Sequence, residues 1–171
     1  MGKIILHQGD ITKYSADAIV NAANTSLLGG GGVDGAIHDA AGPELLEACQ
    51  KLGGCQTGSA KITKAFNLPA KFVIHAVGPV YRDGTADEDK LLASTYKRSL
   101  ELAVEHGAKS VAFPNISTGV YRFPKHAAAS IAIRAVKSFL KNHQQIETVA
   151  FITFDDENYN IYKEKLDLRG E

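Results

Sequence analysis

The chain has 171 residues, enough for one domain, expected over 1–171, to bury most of its apolar side chains without disulfides or metal. Lys+Arg and Asp+Glu are equal at 19 each, so net charge indicates neither nucleic acid nor an anionic membrane as partner, and a polyanionic ligand must be held locally. Only two cysteines occur, Cys49 and Cys55, and no segment approaches the roughly 20 apolar residues of a membrane helix or the pattern of a leader, so a cytoplasmic protein with free thiols is expected.

The first apolar runs of strand length are 4–6 and 18–20, both rich in Ile, Val, Leu or Ala. Next come Asn21-Ala-Ala-Asn24 and a run of glycines, followed by a helical pattern in which Pro43 fits a first turn and Gly53 a stop. Two more strands are predicted at 60–63 and 72–77. Leu92, Tyr96, Leu100 and Ala103 then form an apolar stripe on one helix face, ended by Gly107. A strand at 111–113 leads into a second polar loop. The clearest helix follows, with Ala128, Ile131, Ala132, Ala135, Val136 and Phe139 at steps of three and four. The last strand is predicted at 149–154, and a polar amphipathic segment over 157–166 closes the pattern, with Asp155, Asp156 and Glu157 as its cap and dipole partners.

Six strands alternating with helices imply an α/β fold, a three-layer α/β/α sandwich on a mixed, mostly parallel sheet, with an antiparallel edge from the first strand. In such sheets ligands settle at the carboxyl ends of the strands, where helix N-termini present unpaired N–H groups.

Gly29-Gly-Gly-Gly32-Val33-Asp34-Gly35 lies at such a place. Consecutive glycines lose the most backbone entropy on ordering, so their presence suggests that main-chain N–H groups must approach something closely, and the helix that follows points to phosphate. Gly30, Gly32 and Gly35 formally satisfy G-x-G-x-x-G, but residues 24–28 separate them from the strand, and the acidic residue of a dinucleotide fold would fall in a helix. No Lys-Ser or Lys-Thr pair follows, which excludes a Walker A loop. Ser117-Thr118-Gly119-Val120-Tyr121 has the same setting between strand and helix. Two such loops could clasp a diphosphate with neutral donors.

Taken together, Gly9-Asp10-Ile11-Thr12, Asn21-Ala-Ala-Asn24, Gly30-Gly-Gly-Val-Asp-Gly-Ala-Ile-His38, Ala76-Val-Gly-Pro79 and Ile116-Ser-Thr-Gly-Val-Tyr121 resemble the macro domain family nearly end to end. The Asn-Ala-Ala-Asn and Gly-Gly-Val-Asp-Gly forms are similar to the MacroD-type branch, whose members remove ADP-ribose from acidic side chains and deacetylate O-acetyl-ADP-ribose. The resemblance implies that Asp10 accepts a hydrogen bond from the adenine amino group, with the Ile11 backbone beside it, and that Phe154 stacks on the base. It implies that Gly31, Gly32 and Val33, with Ser117, Thr118, Gly119 and Val120, bind the diphosphate. Asn24 would orient the distal ribose, Tyr121 would flank it, and Asp34 would position or deprotonate a water, alone or with the ligand's own phosphate. One departure stands out. The family commonly reads Gly-Val-Tyr-Gly-Tyr-Pro in the second loop, where this chain has Gly119-Val-Tyr-Arg122-Phe123-Pro124. If that backbone needs a positive φ, the loop must differ; if not, Arg122 could point to solvent, to an outer phosphate or to the modified partner.

Each residue also has a plainer reading. Asp10, Asn21 and Asn24 suit helix caps and turns, and Asp34 suits the first turn of a helix. His38 and His75 suit hydrogen-bonded core or near-site histidines, and with no second ligand at metal spacing no metal is expected. Cys49 and Cys55 suit small core residues. The ordered motif set favours a ligand-binding role for Asp10 and Asn24 and leaves Asn21 open. The expected function is therefore hydrolysis of ADP-ribose conjugates by a monomer without an organic cofactor, its partners being ADP-ribose, mono-ADP-ribosylated proteins and O-acetyl-ADP-ribose. A non-catalytic ADP-ribose reader and an ADP-ribose 1″-phosphate phosphatase are the rivals.

Overall fold

The chain runs through β1 (Lys3–Gln8), a 3-10 turn (Ile11–Lys13), β2 (Ala18–Ala22), α1 (Gly32–Ala41), α2 (Pro43–Gln50), β3 (Ala60–Lys64), β4 (Phe72–Ala76), α3 (Glu88–Glu105), β5 (Ser110–Phe113), α4 (Lys125–Asn142), β6 (Thr148–Thr153) and α5 (Asp156–Gly170). A computed structural model describes residues 1–170, with side chains through Leu166. All six expected strands form, each end within two residues of its predicted place. They make one mixed sheet in the order β1-β6-β5-β2-β4-β3.

Every neighbouring pair is parallel except β3 against β4. The expectation of an antiparallel edge from the first strand is thus corrected: β1 runs parallel to β6, from Lys3 opposite Thr148 to Gln8 opposite Thr153, and the antiparallel edge is β3. Connection length explains the difference. Only residues 65–71 join β3 to β4, too few for the crossover of about a dozen residues that a parallel pair needs, so the chain doubles back. The run 4–6 carries no such signal, because its partner lies at the far end of the chain.

The inner strands β2, β4, β5 and β6 are largely apolar because both faces are covered. Ala18 and Val20 of β2 pack into the layer of α3, α4 and α5, while Ile19 between them packs into the layer of α1 and α2. Val149 and Phe151 of β6 alternate with Ala150 and Ile152 in the same way. On α4, Ala128, Ala132, Val136 and Phe139 are buried, as the stripe predicted. Asp155 caps α5, accepting the Asn158 N–H at 2.7 Å. No helix among the described residues is long and apolar enough to cross a membrane.

Five strands share one direction, so the loops that leave β1, β6, β5, β2 and β4 emerge in that order along one edge of the sheet. That edge carries the residues singled out above.

Candidate active site

β2 ends pinned to β4, the Ala23 N–H donating to the Ala76 carbonyl at 2.9 Å. Asn24 then organises the loop. Its Oδ1 accepts from the Ser26 hydroxyl at 2.7 Å and from the N–H groups of Ser26 and Leu27 at 3.1 Å, and its Nδ2 donates to the Gly29 carbonyl at 3.0 Å. α1 starts inside the glycine run with Gly31 as N-cap and no side-chain capping bond. Its first-turn N–H groups are therefore left for whatever enters.

Neither backbone nor packing asks for glycine at Gly31, where φ is −93° and an added Cβ would meet no heavy atom within 4 Å. Gly119, on the second loop, is equally open. Gly78 differs, because a Cβ there would fall 2.2 Å from Ser117 Oγ and 2.5 Å from Ile116 Cγ2. It lets the segment after β4 pack against the loop after β5.

That second loop is held by two turns, in which Arg122 N–H donates to the Gly119 carbonyl and Phe123 N–H to the Ser117 carbonyl, both at 2.9 Å. Phe123 is buried and anchors it. Ser117 and Arg122 adopt φ of +69° and +61°, a left-handed conformation that costs a non-glycine residue about 1 kcal/mol. The loop thus keeps a positive φ at 122 despite the arginine, whose side chain is exposed.

Between the loops lies a cavity of about 390 Å³. Asn24, Gly31, Gly32, Val33 and Asp34 wall one side, and Ser117, Gly119, Val120 and Tyr121 the other, joined by Gly78, Asn115 and Ile116. Among the described residues no lysine or arginine lines it. A phosphate held here would meet neutral donors and a helix N-terminus.

Asp34, 5% exposed on the first turn of α1, is fixed from beneath by residues that sequence reasoning left open or undervalued. Fully buried Asn21 donates its Nδ2 to Asp34 Oδ1 at 2.8 Å and lies 3.3 Å from Nδ1 of His75, its register partner on β4. His75 Nε2 lies 3.0 Å from Thr63 Oγ1, which donates its own proton to the Lys64 carbonyl at 2.9 Å. Thr63 must then accept from Nε2–H, leaving Nδ1 bare to accept from Asn21. The imidazole is neutral. Burial, then the neighbouring His38, pushes its pKa down to about 3. His38 Nε2 stands 3.4 Å from Asp34 Oδ1. Burial, then the Asp34 charge, raises the Cys49 thiol to about 11, so this buried sulfur is no nucleophile; Cys55 is likewise buried and free.

Asp34 Oδ2, the oxygen not bound by Asn21, lies beside Gly30. A Cβ built on Gly30 would lie 3.1 Å from Asp34 Oδ2 and 3.5 Å from Asn24 Nδ2, so carboxylate and amide both flank Gly30.

Asp10, Ile11, Thr118 and Phe154 do not line the cavity. Asp10 caps the 3-10 turn, its Oδ1 accepting from the Thr12 hydroxyl at 2.7 Å and the Thr12 N–H at 2.9 Å, and these bonds, the hydroxyl's first, hold its pKa below the ordinary carboxylate value. The Gly9 N–H donates to the Thr153 carbonyl at 2.9 Å, which sets Asp10 and Phe154 on adjacent segments along the same edge. Phe154, just after β6, is 79% exposed, and Val120, on the cavity wall, is 92% exposed, both unusual for apolar groups. A signal for Asn21 did exist: an amide at the end of a wholly buried strand needs a partner. Which partner could not be read from the chain.

Residues 20–132 match the family described as Macro domain. An O-acetyl-ADP-ribose deacetylase of Escherichia fergusonii is 57% identical over 173 aligned positions, covering 99% of this chain and 98% of the relative. Macro domain-containing protein CT2219 of Chlorobaculum tepidum is 57% identical, covering 95% and 96%. Among solved structures, the Oceanobacillus iheyensis macrodomain with ADP superposes with a TM-score of 0.90 at 47% identity, covering 94% of this chain and 88% of that one. The Trypanosoma brucei macrodomain in complex with ADP-ribose gives 0.90 at 43%, covering 95% and 68%. With sheet order, paired glycine loops and near full-length identity in agreement, the chain belongs to the macro domain family.

Proposed function

We propose that the chain binds ADP-ribose along this edge and hydrolyses an ester at its distal ribose, deacetylating O-acetyl-ADP-ribose or freeing ADP-ribose from an acidic side chain. The adenine would lie by Asp10, Ile11 and Phe154, the diphosphate against Gly31, Gly32 and Val33 and the backbone of residues 117–120, and the distal ribose between Asn24, Asp34 and Tyr121. The observation that carries this reading is that Asn24 and Asp34, which both flank Gly30, line one cavity beside an uncapped helix N-terminus.

Asn21 holds Asp34 Oδ1, so Oδ2 is the oxygen available to a water. As the water oxygen bonds to the acyl carbon, its proton passes to Asp34 and then to the departing ribose oxygen. The acyl C–O bond breaks, giving a carboxylic acid and ADP-ribose. Asn24 fixes the sugar with the amide hydrogen that Gly29 does not use. The relatives named O-acetyl-ADP-ribose deacetylase support an enzyme over a reader.

Calorimetry with ADP-ribose on wild type and Asp34→Ala, beside turnover of O-acetyl-ADP-ribose, a glutamate-linked ADP-ribosylated protein and ADP-ribose 1″-phosphate, tests the reading. Binding should persist in Asp34→Ala while ester turnover falls about a hundredfold or more. Wild type that binds but releases nothing would be a reader, and turnover of the phosphate alone would make it a phosphatase.

A further inference from the structure

A second cavity, of about 460 Å³, is walled by Val80, Tyr81, Arg82, Asp83 and Arg122. It shares a partition with the first. Tyr121 lines one cavity and Arg122 the other, and the Tyr81 N–H donates to the Tyr121 carbonyl at 2.8 Å, joining the segments that carry the two arginines. Tyr81 also packs on buried Phe123, ring centres 5.0 Å apart. Strand order sets the direction. Its walls come from the segments after β4 and β5, whereas Asp10 and Phe154 follow β1 and β6, so this cavity lies away from them, on the Tyr121 side of the first cavity.

The wall is built rather than loose. Glu88, 1% exposed, accepts the N–H groups of Arg82 at 2.5 Å, Ala86 at 2.8 Å and Gly84 at 3.1 Å. Burial pushes its carboxyl up, but bonds from Ala86, Arg82, its own N–H and Gly84 outweigh this and hold the pKa below the ordinary value. The segment bearing Arg82 is thereby pre-shaped. Arg82 and Arg122 are exposed and form no ion pair among the described residues. Asp83 offsets one of their two charges, which disfavours a dense polyanion such as a run of phosphates, while Val80 and Tyr81 offer apolar contact. Guanidinium forks beside apolar surface suit a peptide carboxylate.

We propose that this cavity is a subsite for the polypeptide of an ADP-ribosylated substrate, where Arg82 and Arg122 hold an acidic side chain flanking the modified residue. The inference rests on the binding mode proposed above, in which Tyr121 flanks the distal ribose while its neighbour Arg122 lines this cavity.

The test is calorimetry with hydrolysis-resistant ADP-ribosyl peptides carrying acidic or neutral flanks, free ADP-ribose and an ADP-ribose dimer, on wild type and an Arg82→Ala, Arg122→Gly variant. Glycine keeps the positive φ at 122, so the loop should survive. Wild type should prefer the acidic peptide about tenfold, with a salt-sensitive advantage, and the variant should lose it. Free ADP-ribose affinity and O-acetyl-ADP-ribose turnover should not change. Equal affinity for both peptides in wild type, a preference surviving in the variant, or a response confined to the dimer would overturn the proposal. Wild type that fails to bind free ADP-ribose would remove the underlying binding mode, and this subsite with it.

Discussion

Asn21 does not line the cavity but holds Asp34, which does, and that makes it separable from the residues that would touch ligand. Its Nδ2 is shared between the Asp34 carboxylate and the bare nitrogen of His75, so Asn21→Ala leaves both buried acceptors without it. Turnover of O-acetyl-ADP-ribose should fall about tenfold while ADP-ribose affinity stays within about twofold, because orientation of the carboxylate is lost and the diphosphate contacts are not. A matching loss of affinity in calorimetry would mean that Asn21 shapes the loop instead. His75 gives a second expectation. Its pKa is about 3 in the fold against 6.5 as the ordinary value, so unfolding takes up a proton between those limits. Stability contributed by keeping His75 neutral is present above about pH 6.5 and lost as pH falls toward 3, at up to about 1.4 kcal/mol per pH unit. Urea melts over that range, compared between wild type and His75→Gln, should show the variant with a shallower acid slope.

At the scale of loops and helices, the glycines divide by what stands opposite them. Gly119→Ala places a methyl where no protein atom lies within 4 Å, so the melting temperature should hold while ADP-ribose affinity drops about tenfold or more. Gly78→Ala drives a methyl into Ser117 and Ile116 and should cost about 1–3 kcal/mol of stability in a denaturant melt. If Gly119→Ala bound ADP-ribose normally, the claim that its open face admits ligand would fail. The same division explains what could be read beforehand. A glycine run after a buried strand is visible in the chain itself, whereas the need for Gly78 arises from a loop 38 positions away in number, brought near by the β5-β2-β4 order.

Over the whole molecule, zero formal charge and a cavity that no lysine or arginine lines among the described residues point to an affinity for ADP-ribose that depends weakly on ionic strength. Titrations at low and high salt should differ by only a few-fold; a steep loss would place cationic side chains on the diphosphate. Composition, strand-length runs and helical stripes were sufficient for the six strands and the layered fold, because alternation of buried faces and turn chemistry are local properties. The motifs likewise pointed to both loops, to Asn24 and to Asp34. Strand pairing was different. That β1 is parallel and β3 antiparallel depends on partners distant in sequence and on the length of the 65–71 connection. The carboxylate's anchorage depends on the same kind of fact: Asn21 and His75 are ordinary buried polar residues until β2 and β4 lie in register. Periodicity and backbone preference act between neighbours, so the chain states them directly, while the direction of a hydrogen bond between strands exists only once the sheet has closed around it.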